Sequence, residues 1–69
     1  MERVSVDSSN IASIGFDEDS STLEIEFHSG AVYQYFDVPF AVYDGLMEAA
    51  SKGQYLAQFI KGKYRYVKV

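Results

Sequence analysis

Seven residues in the middle of this chain leave little choice of structure. From Thr22 to His28, Leu23, Ile25 and Phe27 alternate with Glu24, Glu26 and His28. A period of two belongs to a strand with one buried face. Ser29-Gly30 interrupts it, and residues 31–36 return as a second extended segment, so the pair reads as a β-hairpin. Its register decides where the tyrosines go. A two-residue Ser29-Gly30 loop pairs His28 with Ala31 and exposes Tyr33 and Tyr35 on the Glu24/Glu26 face. A three-residue His28-Ser29-Gly30 loop pairs Phe27 with Ala31. Tyr33 then lies opposite Ile25, Tyr35 opposite Leu23, and both tyrosines are core. A slip of one residue moves every side chain to the other face. Glycine at the third loop position favours the second register, because that position takes a left-handed backbone.

The flanking segments complete the fold. Residues 3–6 are a short extended stretch and 7–10 a polar turn. Residues 11–16 read as a strand with Ile14 and Phe16 on one face. Gly15 between them lets another group approach the backbone. After residue 36 the period changes. Pro39 suits a first helical position, and Phe40, Tyr43, Leu46, Met47 and Ala50 predict a helix over 39–50. Ser51-x-x-Gln54 has the form of a capping box. It opens a second helix with Tyr55, Leu56, Phe59 and Ile60 on one face. Tyr43, Met47, Tyr55 and Phe59 are expected in the core. Gly62 sits where a left-handed cap ends a helix, and 63–69 read as a final strand. The expected class is α+β: a mainly antiparallel sheet of three to four strands, in chain order β-β-β-α-α-β, with a helical pair on one face.

Sixty-nine residues make one domain, 1–69. With 48% hydrophobic and 16% aromatic residues, a compact core is expected rather than disorder. A core of this size gives only about 3–5 kcal/mol, so each large apolar side chain matters. There is no cysteine, hence no disulfide framework and no thiolate chemistry. The first residues carry no signal-peptide pattern. No apolar run approaches the roughly 20 residues that cross a bilayer. A cytoplasmic protein without membrane contact is expected.

The residues also carry a family pattern. Ser8-Ser9-x-Ile11 leads to Ile14-Gly15-Phe16, then Leu23-x-Ile25-x-Phe27, Gly30, Tyr33-x-Tyr35, Val38-Pro39 and Tyr43. The second half adds Ala50-Ser51-x-Gly53-x-Tyr55, Ile60 and Tyr64. Together these resemble the KTSC domain, named for the C-terminal domain of some lysyl-tRNA synthetases and found also as small stand-alone bacterial proteins. Tyr33, Tyr35, Pro39, Gly53 and Tyr55 are the family positions present here, and a structural role is expected for them. Two positions depart from the pattern. Phe16 stands where tyrosine is expected, and Leu56-Ala57 follows Tyr55 in place of an aromatic and asparagine. What the resemblance implies about partners is RNA, through the association with a tRNA-charging enzyme.

Catalytic chemistry finds no support. His28 is the only histidine, so neither a zinc site nor an acid–base pair can be assembled around it. Asp17-x-Asp19-x-Ser21 begins like a calcium loop, but Thr22 and His28 occupy the positions that need glycine and glutamate. No nucleophile elbow surrounds a serine, and the scattered glycines form no phosphate-cradling loop. Glu24 and Glu26 are expected on an exposed strand face, not in the sheltered cleft that splits carboxylate pKa values. No catalytic residue, metal ligand or cofactor is therefore assigned, and the chain is expected not to be an enzyme.

Charge is the remaining signal. Residues 1–50 carry −9 and residues 51–69 carry +5, which together give the net −4. The basic end holds Lys52, Lys61, Lys63, Arg65 and Lys68 and no acid. Within it, 61–68 interleave four bases with Tyr64 and Tyr66, a composition that neutralises phosphate and stacks bases. Strand alternation sets Lys63, Arg65 and Val67 on one face and Tyr64, Tyr66 and Lys68 on the other. The candidate nucleic-acid-binding residues are Lys52, Lys61, Lys63, Tyr64, Arg65, Tyr66 and Lys68. The alternatives are an edge strand whose bases discourage aggregation, and a protein-interaction module that docks by a sheet edge or an aromatic patch.

Overall fold

The computed structural model describes residues 1–69. Five strands form one antiparallel sheet in chain order: β1 (Arg3–Ser5), β2 (Ile11–Asp17), β3 (Thr22–Phe27), β4 (Val32–Tyr35) and β5 (Tyr66–Lys68). Between β4 and β5 lie α1 (Phe40–Glu48) and α2 (Lys52–Tyr55), the latter running on as a π-helical turn over Leu56–Ile60. The α+β class is as expected. The strand count is not, because the stretch at 3–6 pairs with β2 as a full edge strand.

The hairpin takes the three-residue loop. The Phe27 N–H donates to Ala31 and the Gly30 N–H to Phe27, each over 2.9 Å. Gly30 has φ +96, a conformation that glycine adopts without a side-chain penalty. Leu23 pairs with Tyr35 and Ile25 with Tyr33. Both tyrosines therefore face the helices, on the side opposite Glu24 and Glu26. Tyr35 is 3% exposed; Tyr33 is half-buried against the core rather than within it.

A bulge near Ala12 in β2 resolves a conflict of parity. Ile11 and Ile14 are three residues apart and would point to opposite faces of a regular strand. The register shifts between Ile11 and Ser13, so the extra residue turns Ile11 to the helix side. Both isoleucines are fully buried, with Leu23, Ile25, Val38, Leu46, Leu56 and Ile60.

The helices differ from expectation at their ends. Pro39 is the N-cap of α1, with extended ψ 148, rather than its first helical residue. Ser51 caps α2 as expected, its hydroxyl accepting from the Gln54 N–H. After Tyr55 the chain widens by one residue per turn, and the Lys61 N–H donates to Leu56 over 2.8 Å. Leu56 and Ile60 are buried by this turn, whereas Phe59 is 52% exposed and not core as its spacing suggested. Gly62 follows with φ +77, the expected left-handed stop. The final strand is shorter than 63–69: residues 61–64 form a turn, and pairing with β4 begins where the Phe36 N–H donates to Arg65.

Candidate functional site

The helix-side ends of β3, β4 and β5 do not carry the helices over their whole length. Beyond the cover lies an open cleft of about 550 Å³, walled by Phe27, Tyr33, Tyr35 and Tyr66 and closed by Lys61 and Gly62. Strand pairing builds the aromatic wall. Tyr66 sits opposite Tyr35, and its ring centroid is 5.8 Å from both Tyr35 and Tyr33. The Phe27 ring meets Tyr33 edge-on at 5.7 Å. Tyr66 is 56% exposed, so much of its ring is open to solvent. The turn after α2 then brings Lys61 over the Phe27 ring, Nζ 5.9 Å from the centroid. Burial, with smaller contributions from Tyr33 and Tyr66, raises the Tyr35 phenol above the ordinary tyrosine value. Tyr35 is thus uncharged at neutral pH, and Lys61 is the charged side chain that lines the cleft.

The candidate residues divide by position. Lys61 and Tyr66 line the cleft, and Lys68 lies opposite Tyr33 in register. Lys63 is exposed in the adjoining turn. Tyr64 packs half-buried against the core, which leaves Tyr66 as the open ring of the basic segment. Arg65 is engaged elsewhere: its guanidinium lies 5.3 Å from the Phe36 ring and 3.8 Å from Asp37. Lys52 is not beside the cleft residues in the contacts it makes; its Nζ donates to the Ala49 carbonyl at the end of α1. Phe27 and Gly62, which also line the cleft, are not among the candidate binding residues read from sequence. Phe27 reads as core from its alternation, and its contact with Lys61 spans 34 positions of chain.

Of the family positions, Tyr33 and Tyr35 line the cleft, whereas Pro39, Gly53 and Tyr55 do not. Pro39 opens α1, and Gly53 brings α2 close to Asn10. The Tyr55 ring lies against Gly45 and beside Phe59, 4.8 Å between centroids.

The opposite sheet face is not the open acidic surface expected. Glu24 is 8% exposed. Arg3 reaches its Oε2 at 2.6 Å and Gln34 its Oε1 at 2.7 Å. The Gln34 hydrogen bond first, then Arg3, hold the Glu24 carboxyl below the usual carboxylate range, against an opposing effect of burial. Glu26 accepts from the Ser13 hydroxyl at 2.8 Å. These carboxylates are occupied in holding β1, β2, β3 and β4 together.

No group of three or more potential ligands is arranged to hold a metal ion. No helix is long and apolar enough to cross a membrane.

The KTSC domain model matches residues 7–64. A lysine–tRNA ligase of Trichormus variabilis is 51% identical over 51 residues, which are 74% of this chain and 9% of the ligase. The chain thus spans about a tenth of such ligases. A protein of Stutzerimonas stutzeri is 43% identical over 70 residues, covering 100% of this chain and 99% of that one. The crystal structure of a KTSC domain protein from Yersinia pestis superposes with a TM-score of 0.96 at 43% identity, over 99% of this chain and 96% of that one. The chain belongs to the KTSC domain family.

Proposed function

We propose that this KTSC domain is a non-enzymatic, cytoplasmic accessory module that contacts single-stranded nucleic acid, RNA above all, at the cleft between Lys61 and Tyr66. One observation carries the proposal: a lysine ammonium and an open tyrosine ring line the same recess. Cations attract the backbone, and an exposed ring stacks on any base. Lys63 and Lys68 extend the positive rim, and no acidic side chain lines the cleft. The lysine–tRNA ligases that contain a similar segment act on an RNA, which supports the same direction.

The net charge of −4 makes for weak binding. With three cations at or beside the cleft, Lys61, Lys63 and Lys68, the logarithm of affinity should fall with the logarithm of salt at a slope no steeper than roughly −2. Fluorescence anisotropy with a labelled single-stranded RNA tests this. Lys61→Ala/Lys63→Ala should flatten the slope and weaken binding; unchanged affinity in that variant refutes the site.

Protein docking is the second reading, and β5 favours it. This strand ends the sheet, so one side of its backbone has no strand partner, as in domains that accept an added strand. Binding of that kind would survive moderate salt.

A further inference from the structure

The aromatic cleft has a polar neighbour. A second recess of about 300 Å³ is lined by Ser9, Asn10 and His28, with Phe27, Ser29 and Lys61 as a shared wall. The two recesses differ sharply in chemistry. Four aromatic rings line the first. In the second every side chain except Phe27 is polar, and none is acidic. Lys61, leaning over Phe27, stands at the junction of the two.

The polar recess is rich in donors. The Lys61 ammonium, the Asn10 amide and the hydroxyls of Ser9 and Ser29 can all donate hydrogen bonds. The imidazole of His28 is fixed as part of the wall, its Nε2–H donating to the Ser8 carbonyl over 2.9 Å. The loops are pinned as well: the His28 N–H donates to the Asn10 carbonyl over 2.9 Å. Donors without a competing carboxylate suit an anion, and a cation beside flat rings suits an anion attached to a planar ring system.

We infer that the two recesses form one site for a nucleotide. The base lies against Tyr66 and Tyr33, and the phosphate enters the polar recess on Lys61 and Asn10. This inference rests on the nucleic-acid reading and narrows it to one unit. The same chemistry is offered by a free mononucleotide and by a nucleotide within an RNA strand.

Amide NMR titration of the labelled chain with adenosine monophosphate, adenosine, inorganic phosphate and a short single-stranded RNA separates these sources. The monophosphate should shift Asn10, Ser29, Lys61 and Tyr66 together, and bind roughly tenfold or more tightly than adenosine, as loss of a charge-assisted contact would imply. Lys61→Ala should bring the monophosphate down to the level of adenosine and leave adenosine unchanged. Tyr66→Ala should weaken both. Lys61 and Tyr66 are exposed, and the spectrum of each variant reports its folding directly. Equal binding of monophosphate and adenosine overturns the two-recess site. So does RNA binding whose shifts are confined to Lys63, Arg65 and Lys68, although the accessory-module reading then stands. A strand that binds while the monophosphate does not assigns the site to polymer only and overturns the free-nucleotide source. Silence toward all four probes overturns both readings.

Discussion

Arg3 of β1 reaches across β2 to Glu24 of β3, its Nη1 2.6 Å from Oε2, and the crossing is possible because Gly15 lies beneath it. A Cβ at Gly15 would stand 2.7 Å from the Glu2 carbonyl oxygen and 3.0 Å from Arg3 Cγ. The N-terminal strand is therefore seated on a glycine. Gly15→Ala should displace β1 and cost about 1–3 kcal/mol, the usual range for overpacking. Urea unfolding measures the loss, and protection of the Val4 and Val6 amides from hydrogen exchange should fall with it.

Glu24 makes the same clamp sensitive to acid. Its carboxyl titrates below the ordinary value of 4.5 in the folded chain, chiefly through Gln34 and then Arg3. A depressed carboxylate contributes stability that is full above the unfolded value and is lost as pH falls through the folded one. Stability should therefore drop on going from neutral pH to below 4.5. Glu24→Gln should start less stable at neutral pH and lose less on acidification. Denaturant midpoints across pH for both chains check this, and parallel curves would contradict it.

Tyr35 sets the alkaline side. Its phenol is raised above 10.0 by burial, then by Tyr33 and Tyr66. A raised group favours the fold below the unfolded value, and that contribution disappears as pH climbs through the folded one. Tyr35→Phe removes the titration and keeps the ring, so it should remain folded to higher pH. Absorbance of the phenolate band should show Tyr35 ionising above 10.0 in the parent chain, a component that Tyr35→Phe lacks.

Gly45 is where helix propensity misleads. Alanine is better than glycine in a helix interior by about 1 kcal/mol. Here the Tyr55 ring occupies the space, and a Cβ would stand 2.8 Å from its Cζ. Gly45→Ala should destabilise, with thermal unfolding lowered by several degrees, since about 1 kcal/mol moves a domain of this size by roughly 4–8 °C. Adding Tyr55→Leu should return part of the loss.

Sequence reveals what is set locally. Gly30 dictated the hairpin loop, and with it the burial of Tyr35; Ser51 and Gly62 marked the limits of the second helix. The stretch at 3–6 read as extended, but its place as an edge strand escaped because exposed residues carry no pattern and that place depends on Gly15 and Glu24, 12 and 21 positions beyond Arg3. The bulge at Ala12 escaped because it reverses parity without a glycine to announce it. Phe59 was misplaced because its helical spacing assumed 3.6 residues per turn, while the chain from Leu56 follows a wider one. The basic segment was visible, but not its division: Lys61 joins Phe27 at the cleft, Arg65 turns to Asp37, and Lys52 bonds the end of α1. That sorting depends on contacts between distant parts of the chain.

The proposed function stands or falls on contact between the cleft and nucleic acid. A two-dimensional amide NMR titration with a mixed single-stranded RNA pool, run at low and at moderate salt, tests it most directly. Shifts that gather on Phe27, Tyr33, Lys61 and Tyr66 at low salt and fade at moderate salt are the predicted result. A well-folded spectrum that does not move at low salt would contradict the proposed function.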